Sequence, residues 1–209
     1  MIKTLLLPAT LILGSAPAFA TDVPAQDIRF DVYRNGSPFG EHIVRFTPLG
    51  NGDVDVDIEI ELSVRLGPIT VFRYEHQAIE RWDDNELVLM RSRTFKDGGW
   101  LEVDVERGPE GELISVGEML GELIPSSHWR GYEPGIETIL NTETGEPMPV
   151  EVTDLGTAMI ETANGSVEAS GYRMAGSVTV DLWYDADGRW VGCEFEARGQ
   201  RIRYVLQNA

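Results

Sequence analysis

The chain has 209 residues, with 17 lysines and arginines against 35 acidic residues and a formal net charge of -18 at pH 7. A field of that sign repels phosphate backbones and anionic lipid surfaces, which excludes nucleic-acid binding and electrostatic attachment to a membrane as expected functions. The length suits one domain with a real hydrophobic core, and the single cysteine cannot form an internal disulfide.

The first twenty residues have the composition of a secretory signal peptide. Lys3 precedes an apolar stretch at residues 5–13, and Ala18-Phe19-Ala20 is the small-x-small pattern that signal peptidase cleaves. We predict cleavage after Ala20 and export to the periplasm, with residues 21–209 forming a single domain. No cysteine near the cleavage site offers a lipid attachment point. Membrane insertion is not expected, because no later stretch has the roughly 20 apolar residues of a spanning helix.

The first predicted strands follow the signal peptide. Residues 28–32 alternate between apolar and polar side chains, and Asn35-Gly36 is a turn signal. On the second strand, His42 shares a face with Val44 and Phe46. If that face looks inward, an imidazole lies among apolar side chains and must find a hydrogen-bond partner there.

The strictest alternation lies at residues 53–64. Val54, Val56 and Ile58 begin the apolar series, while Asp53 and Asp55 begin the acidic one. Because successive side chains of a strand point to opposite faces, this pattern predicts a half-buried strand with one apolar and one acidic face. We expect the acidic face to be solvated, since its carboxylates lie about 6.6 Å apart along the strand, too far for a calcium site.

The next strand, at residues 71–82, carries polar groups on its apolar face. Tyr74 and Trp82 share that face with His76 and Glu80. Buried polar groups need hydrogen-bond partners. Here the partners are other side chains of a core network, water molecules or a ligand. These four residues, with His42, are therefore candidates for lining an internal binding site.

One long segment, residues 125–149, breaks the strand rhythm and contains four prolines. Residues 135–140 suggest a short helix within it. Long irregular connections in compact domains are often lids or plugs over a functional site. His128 and Trp129, which lie in this segment, complete the set of candidate ligand-binding residues.

Alternation returns at residues 178–184 and 202–206, with a turn signal at Asp187-Gly188 between them. Cys193 falls on an apolar strand face, where we expect a buried, unreactive thiol. The whole pattern predicts an all-β fold, an antiparallel meander of roughly a dozen strands. A single sheet of that size must curl to bury one face, so a barrel or half-barrel is expected.

The sequence offers no catalytic or cofactor motif. His42, His76, His128 and Glu80 could together supply zinc ligands, but none forms a paired histidine motif, so no metal or cofactor is predicted. No Gly-x-Ser-x-Gly turn is present, and Ser127 beside His128 lacks the strand-turn-helix context of a nucleophile. No residue is assigned as catalytic, and whether the protein is an enzyme stays open.

Several short motifs are distributed along most of the mature chain: Phe30-Asp31-Val32-Tyr33, Gly40-Glu41-His42, Tyr74-Glu75-His76, Glu80-Arg81-Trp82, Ser127-His128-Trp129 and Leu182-Trp183-Tyr184-Asp185. In these motifs the chain resembles a family of uncharacterised exported proteobacterial proteins, a domain of unknown function. The resemblance implies an exported all-β protein and supplies no activity. Where the family pattern has Ser-Tyr-Trp, this chain has His128, so no tyrosine hydroxyl acts at that position.

Three functions are compatible with these features. The first is a non-enzymatic periplasmic carrier whose curved sheet holds a lipid or other apolar small molecule. The second is a periplasmic enzyme, such as a metal-dependent hydrolase, that uses His76, Glu80 and His128. The third is an envelope assembly or interaction factor that acts through a sheet edge or through residues 125–149.

Overall fold

The computed structural model describes Pro24 and residues 26–50, 52–115 and 117–207. The predicted signal peptide lies outside the described residues. Within them the chain forms fifteen β-strands: β1 (Ile28–Arg34), β2 (Ser37–Gly50), β3 (Asp53–Leu66), β4 (Ile69–Asp83), β5 (Glu86–Lys96), β6 (Gly99–Arg107), β7 (Leu113–Ser115), β8 (Glu118–Gly121), β9 (Thr138–Leu140), β10 (Pro147–Pro149), β11 (Glu151–Thr162), β12 (Gly165–Ala175), β13 (Val180–Tyr184), β14 (Trp190–Ala197) and β15 (Gln200–Leu206).

Thirteen of these strands form one sheet, in the order β11-β12-β13-β14-β15-β1-β2-β3-β4-β5-β6-β7-β8. The first strand lies in the interior of this sheet, because β1 pairs antiparallel with β15 on one side and with β2 on the other. The predicted all-β antiparallel meander is confirmed. In the described part of the chain the edge strands β11 and β8 are not paired with each other, so the sheet is a half-barrel.

The strict alternation of β3 gives the sheet its two faces. Val54, Val56 and Ile58 are buried on the inner face. On the outer face, Asp55 lies opposite Arg81 of β4 in the register and accepts two hydrogen bonds of 2.7 Å from its guanidinium. These hydrogen bonds lower the pKa of Asp55. Such exposed ion pairs contribute at most about 1 kcal/mol each, so apolar burial on the inner face stabilises the sheet more than they do.

The turns of five hairpins lie at one end of the sheet, which we call the turn end. They are the β1–β2, β3–β4, β5–β6, β12–β13 and β14–β15 turns. Arg198 of the β14–β15 turn contacts Asp97 of the β5–β6 turn at 3.1 Å, although four strands lie between β15 and β5 in the sheet. This contact is possible because the sheet curls round on itself.

Residues 125–149, which we call the connecting segment, pack against the inner face of the curled sheet. Trp129, Tyr132, Ile139 and Leu140 of this segment are at most 3% exposed. The segment thus supplies a large part of the hydrophobic core. Its position matches the plug that the sequence suggests.

The short helix expected at residues 135–140 is wrong. Residues 138–140 form β9, which pairs with β10 in a separate two-stranded sheet. Gly135 has a φ of 101°, and the amide of Leu140 donates to the carbonyl of Ile124, so the backbone is committed to extended pairing. Across the described residues, no helix has the length and apolar character needed to cross a bilayer.

Gly40, in β2, approaches β3 so closely that no side chain fits. A Cβ at this position would collide with the backbone carbonyl of Glu61. We predict that Gly40→Ala lowers the free energy of unfolding by about 2–4 kcal/mol, because the two strands must separate to admit the methyl group. Urea unfolding measures this. Gly99→Ala, where the nearest atom is 4.0 Å away, is the matched control, and an equal loss there would contradict the prediction.

Candidate functional site

A cavity of about 640 Å³ lies between the inner face of the sheet and the connecting segment. This volume falls within the roughly 300–1,000 Å³ of typical small-molecule sites. Polar side chains are concentrated at its deep end and at its rim, which the hairpins of the turn end form. The walls between are largely apolar and include Phe39, Ile60, Phe72, Val180, Phe195 and Ile202.

Two of the predicted residues, His42 and His76, lie in one row across the sheet. Ile60 of β3 is the register partner of His42 on one side and of His76 on the other. The two residues are therefore two strands apart, with their backbones separated by about 10 Å at the usual strand spacing. Both line the deep end of the cavity, and each is 3% exposed.

His42 is enclosed by aromatic rings. Its ring centroid is 5.2 Å from that of Trp190, 5.7 Å from Tyr204 and 6.4 Å from Phe30. Neither ring nitrogen has a hydrogen-bond partner among the described residues. Burial, with His128 and His76 nearby, holds the pKa of His42 well below its usual value. A buried imidazole with both nitrogens unpaired is costly, so a guest that supplied a partner would gain free energy there.

His76 has a partner in the sheet. Its Nδ1 lies 2.8 Å from Oγ1 of Thr94, its register neighbour on β5, and Thr94 is fully buried. Burial lowers the pKa of His76 to about 4, although Glu143 acts in the opposite direction. The imidazole is therefore neutral at pH 7.

His128 lies in the connecting segment with a φ of 69°, an unusual conformation for a residue with a Cβ. Its carbonyl accepts a hydrogen bond of 2.8 Å from Tyr184. The Tyr132 hydroxyl donates to the carbonyl of Pro125 and lies 3.0 Å from Nδ1 of His128. Because that hydroxyl has one proton, Nδ1 is the donor and Nε2 is left unprotonated. Burial lowers the pKa of His128 to about 4, so three neutral imidazoles border the cavity.

Glu80 is placed elsewhere, four residues further along β4 and away from the turn end. It is 0% exposed and does not line the cavity. Its Oε2 accepts hydrogen bonds of 2.9 Å from both Trp82 and Trp129, while Oε1 has no partner among the described residues. Burial raises the pKa of Glu80, and the hydrogen bonds from Trp129 and Trp82 oppose that change. Glu80 thereby fastens the connecting segment to the sheet.

Arg130 covers this anchor from the solvent side. Its guanidinium lies 4.2 Å from the ring centroid of Trp82 and 5.4 Å from that of Trp129. Burial lowers the pKa of Arg130, and the Glu80 carboxylate opposes that change. The two indoles are thus held between a carboxylate and a guanidinium.

Tyr74 lies nearer the rim. Its hydroxyl donates a hydrogen bond of 2.8 Å to Glu143 of the connecting segment, which also accepts one of 2.7 Å from Lys96. Burial and the Glu143 carboxylate raise the pKa of Tyr74 well above its usual value. Glu143 is a second attachment of the connecting segment to β4 and β5.

The seven residues singled out from the sequence fall into two groups. His42, Tyr74, His76 and His128 line the cavity, whereas Glu80, Trp82 and Trp129 form the anchor behind it. No hydrogen bond in the described part of the chain joins Glu80 to an imidazole. In that same part, no group of three or more His, Cys, Asp or Glu side chains is placed to hold a metal ion.

Two residues of the site escaped the sequence reading. Arg34 continues the inward-facing series of β1 past Val32 and lines the rim. Trp190 is fully buried between His42 and His128, because Val191 has no register partner on β13 and the phase of β14 changes there. Extending the period-two pattern by one step would have found Arg34. Cys193 is buried as expected, and burial raises the pKa of its thiol.

Comparisons with known proteins agree with this architecture. The structure is similar to a crystal structure described as a β-barrel-like protein of domain of unknown function DUF1849 from Brucella abortus, with a TM-score of 0.59, 9% sequence identity, and coverage of 86% of this chain and 94% of that one. At this identity the likeness shows the fold alone. A comparison with curated proteins gave no match. The model of the domain of unknown function DUF6134 matches residues 30–207, and the chain therefore belongs to that family.

Proposed function

We propose that this is an exported periplasmic protein that binds a lipid or another apolar small molecule in the cavity beneath the connecting segment. The signal-peptide pattern at residues 1–20 supports the location. The observation that carries the binding function is the cavity itself, about 640 Å³ with largely apolar walls. Transfer of apolar surface from water into such walls stabilises a complex by about 25 cal/mol for each Å² buried.

The polar groups of the cavity suit binding better than chemistry. The neutral imidazoles of His42 and His128 offer hydrogen-bonding nitrogens without charge. A few polar contacts in an apolar pocket orient a guest and select it. Glu80, the carboxylate that an acid-base mechanism would need beside them, serves as the structural anchor.

Native mass spectrometry of protein purified from the periplasm tests this proposal. We expect a species heavier than the polypeptide, whose additional mass is released by organic extraction. The extracted protein should then take up dodecan-1-ol with saturable binding by calorimetry. Protein that carries no guest and binds no apolar molecule after extraction would contradict the proposal.

A matched pair of variants locates the binding in the cavity. Ile60 points into the cavity between His42 and His76, whereas Ile79 lies on the outer face of β4 and is 48% exposed. Ile60→Trp should reduce dodecan-1-ol affinity at least tenfold because the indole occupies the guest's space. Ile79→Trp adds the same group outside and should leave the affinity unchanged. Equal effects of the two substitutions would place binding outside the cavity.

A further inference from the structure

The rim of the cavity carries a charge opposite to that of the chain. The chain has a formal net charge of -18, yet the charged side chains that line the cavity are four cations and two anions. They are Arg34, Arg73, Lys96, Arg198, Asp97 and Glu143. The opening is thus a local positive site on an acidic protein.

Three of the four cations already have carboxylate partners. Lys96 contacts Glu143 at 2.7 Å, and Arg198 contacts Asp97 at 3.1 Å. Arg73 donates to Glu75 at 2.7 Å, and Glu75 does not line the cavity. These pairs cancel most of the positive charge at the rim.

Arg34 is the exception. Among the described residues its guanidinium has no ion pair and no hydrogen bond, although the side chain is only partly exposed. Its position on β1 is well defined, because the next residue, Asn35, donates to Gln200 at 2.8 Å and accepts from the amide of Arg201 at 2.9 Å. A planar fork of N–H donors therefore lies at the opening on a fixed backbone, without a hydrogen-bond partner among the described residues.

The deep end of the cavity has no charged side chain that could bind an anionic head group. The imidazoles of His42, His76 and His128 are neutral at pH 7, and the Glu80 carboxylate lies outside the cavity. An anionic group placed there would lose its hydration without a compensating cation. An amphiphile with an anionic head group is therefore favoured in the orientation that keeps this group at the rim and its apolar tail inward.

We propose that the guest is an amphiphile with an anionic oxygen head group, a carboxylate or a phosphate, which Arg34 binds at the rim while the tail lies along the apolar walls. This inference rests on the proposed function of the cavity. Two parallel N–H···O hydrogen bonds from one guanidinium match the geometry of either head group. Because hydrogen bonds between two charged groups are stronger than those between neutral ones, we expect a roughly tenfold preference for the acid over the matching alcohol.

Calorimetric titration of the extracted protein with four compounds tests the inference. They are dodecanoate, dodecyl phosphate, dodecan-1-ol and inorganic phosphate. We expect the two anionic amphiphiles to bind at least tenfold more tightly than dodecan-1-ol, and inorganic phosphate to bind far more weakly than dodecyl phosphate. Inorganic phosphate that bound as tightly as dodecyl phosphate would overturn the inference, since the site would then recognise a free anion.

The variants isolate Arg34 from the general field of the turn end. Arg34→Gln should abolish the preference for the anionic compounds and leave dodecan-1-ol affinity unchanged, while Arg34→Lys should retain part of it. Arg65→Gln is the matched control, because Arg65 is exposed at the same end of the sheet and does not line the cavity. Urea unfolding at pH 7 checks that each variant is folded.

The outcomes separate this inference from the function on which it rests. If the wild-type protein binds the acid and the alcohol equally, or if Arg34→Gln keeps the preference, the head-group assignment is overturned while the apolar cavity stands. If none of the three amphiphiles binds, the proposed function fails as well.

Discussion

Acidification from pH 7.5 to pH 5 is expected to lower the free energy of unfolding by about 4 kcal/mol through two histidines alone. The folded protein holds the pKa of His76 and His128 at about 4, while in the unfolded chain each titrates near 6.5. Between these values the unfolded state binds protons that the folded state does not. Stability is therefore fully present above pH 6.5 and is lost as the pH falls towards 4. Urea unfolding at half-unit pH intervals measures the slope.

Asparagine substitutions identify the responsible side chains. Asn places a polar atom near the position of Nδ1, so His76→Asn can still meet Thr94 and His128→Asn can still meet Tyr132. Asn also tolerates the positive φ at position 128. Each variant should lose about 2 kcal/mol less than the wild type between pH 7.5 and 5. Slopes that match the wild type would show that these imidazoles are not neutral in the folded state.

Glu80 works against this acid sensitivity. Burial raises its pKa in the folded state, so folding takes up a proton as the pH falls and gains stability in that range. Glu80→Gln should therefore make the pH dependence steeper. The carboxylates of Asp55 and Glu122, whose pKa values are lowered by hydrogen bonds from Arg81 and Arg107, lose their contribution only at lower pH, below about 4.

Replacement of Glu80 by an apolar residue is also expected to have a large effect on stability. Glu80→Leu should lower the free energy of unfolding by about 3–5 kcal/mol at pH 7, because the indole N–H groups of Trp82 and Trp129 would both lose their acceptor inside the core. Denaturant unfolding followed by tryptophan fluorescence measures this loss.

Glu80→Gln is the control for charge. The amide oxygen can accept both indole N–H groups, and the carboxylate oxygen that lacks a partner is replaced by the uncharged amide NH2 group. We expect a change within about 1 kcal/mol. A Glu80→Leu protein as stable as the wild type would show that the two hydrogen bonds do not hold the connecting segment. A double-mutant cycle that combines Glu80→Leu with Trp129→Phe would then measure how strongly the two side chains are coupled.

Much of the fold follows from the period of the side chains. The alternation at residues 53–64 predicts β3 and its two faces, and the same parity places His42 and His76 inside. The alternation shows which face of a strand a residue occupies, but it does not show which residues of neighbouring strands are paired. Only the pairing of both histidines with Ile60 shows that the two imidazoles share a row. The division of the predicted site into a cavity and an anchor depends on where the connecting segment packs, which no local pattern specifies.

The features that the sequence did not predict were hidden for different physical reasons. A helix at residues 135–140 is locally reasonable, but pairing with β10 and burial of Ile139 outweigh that preference. Trp190 was missed because the unpaired Val191 shifts the phase of β14. Arg34 was missed because it is charged, although it occupies an inward position at the end of a regular strand.

The contact between Asp97 and Arg198 has a consequence for how the opening behaves. A backbone ladder would close a barrel with many cooperative hydrogen bonds, but among the described residues the β5–β6 and β14–β15 turns meet through the ion pair of Asp97 and Arg198, whose side chains are more than half exposed. Such pairs are worth at most about 1 kcal/mol and weaken as salt rises. Rising ionic strength therefore weakens this contact across the entrance, while the hydrogen-bonded strands of the wall keep their pairing.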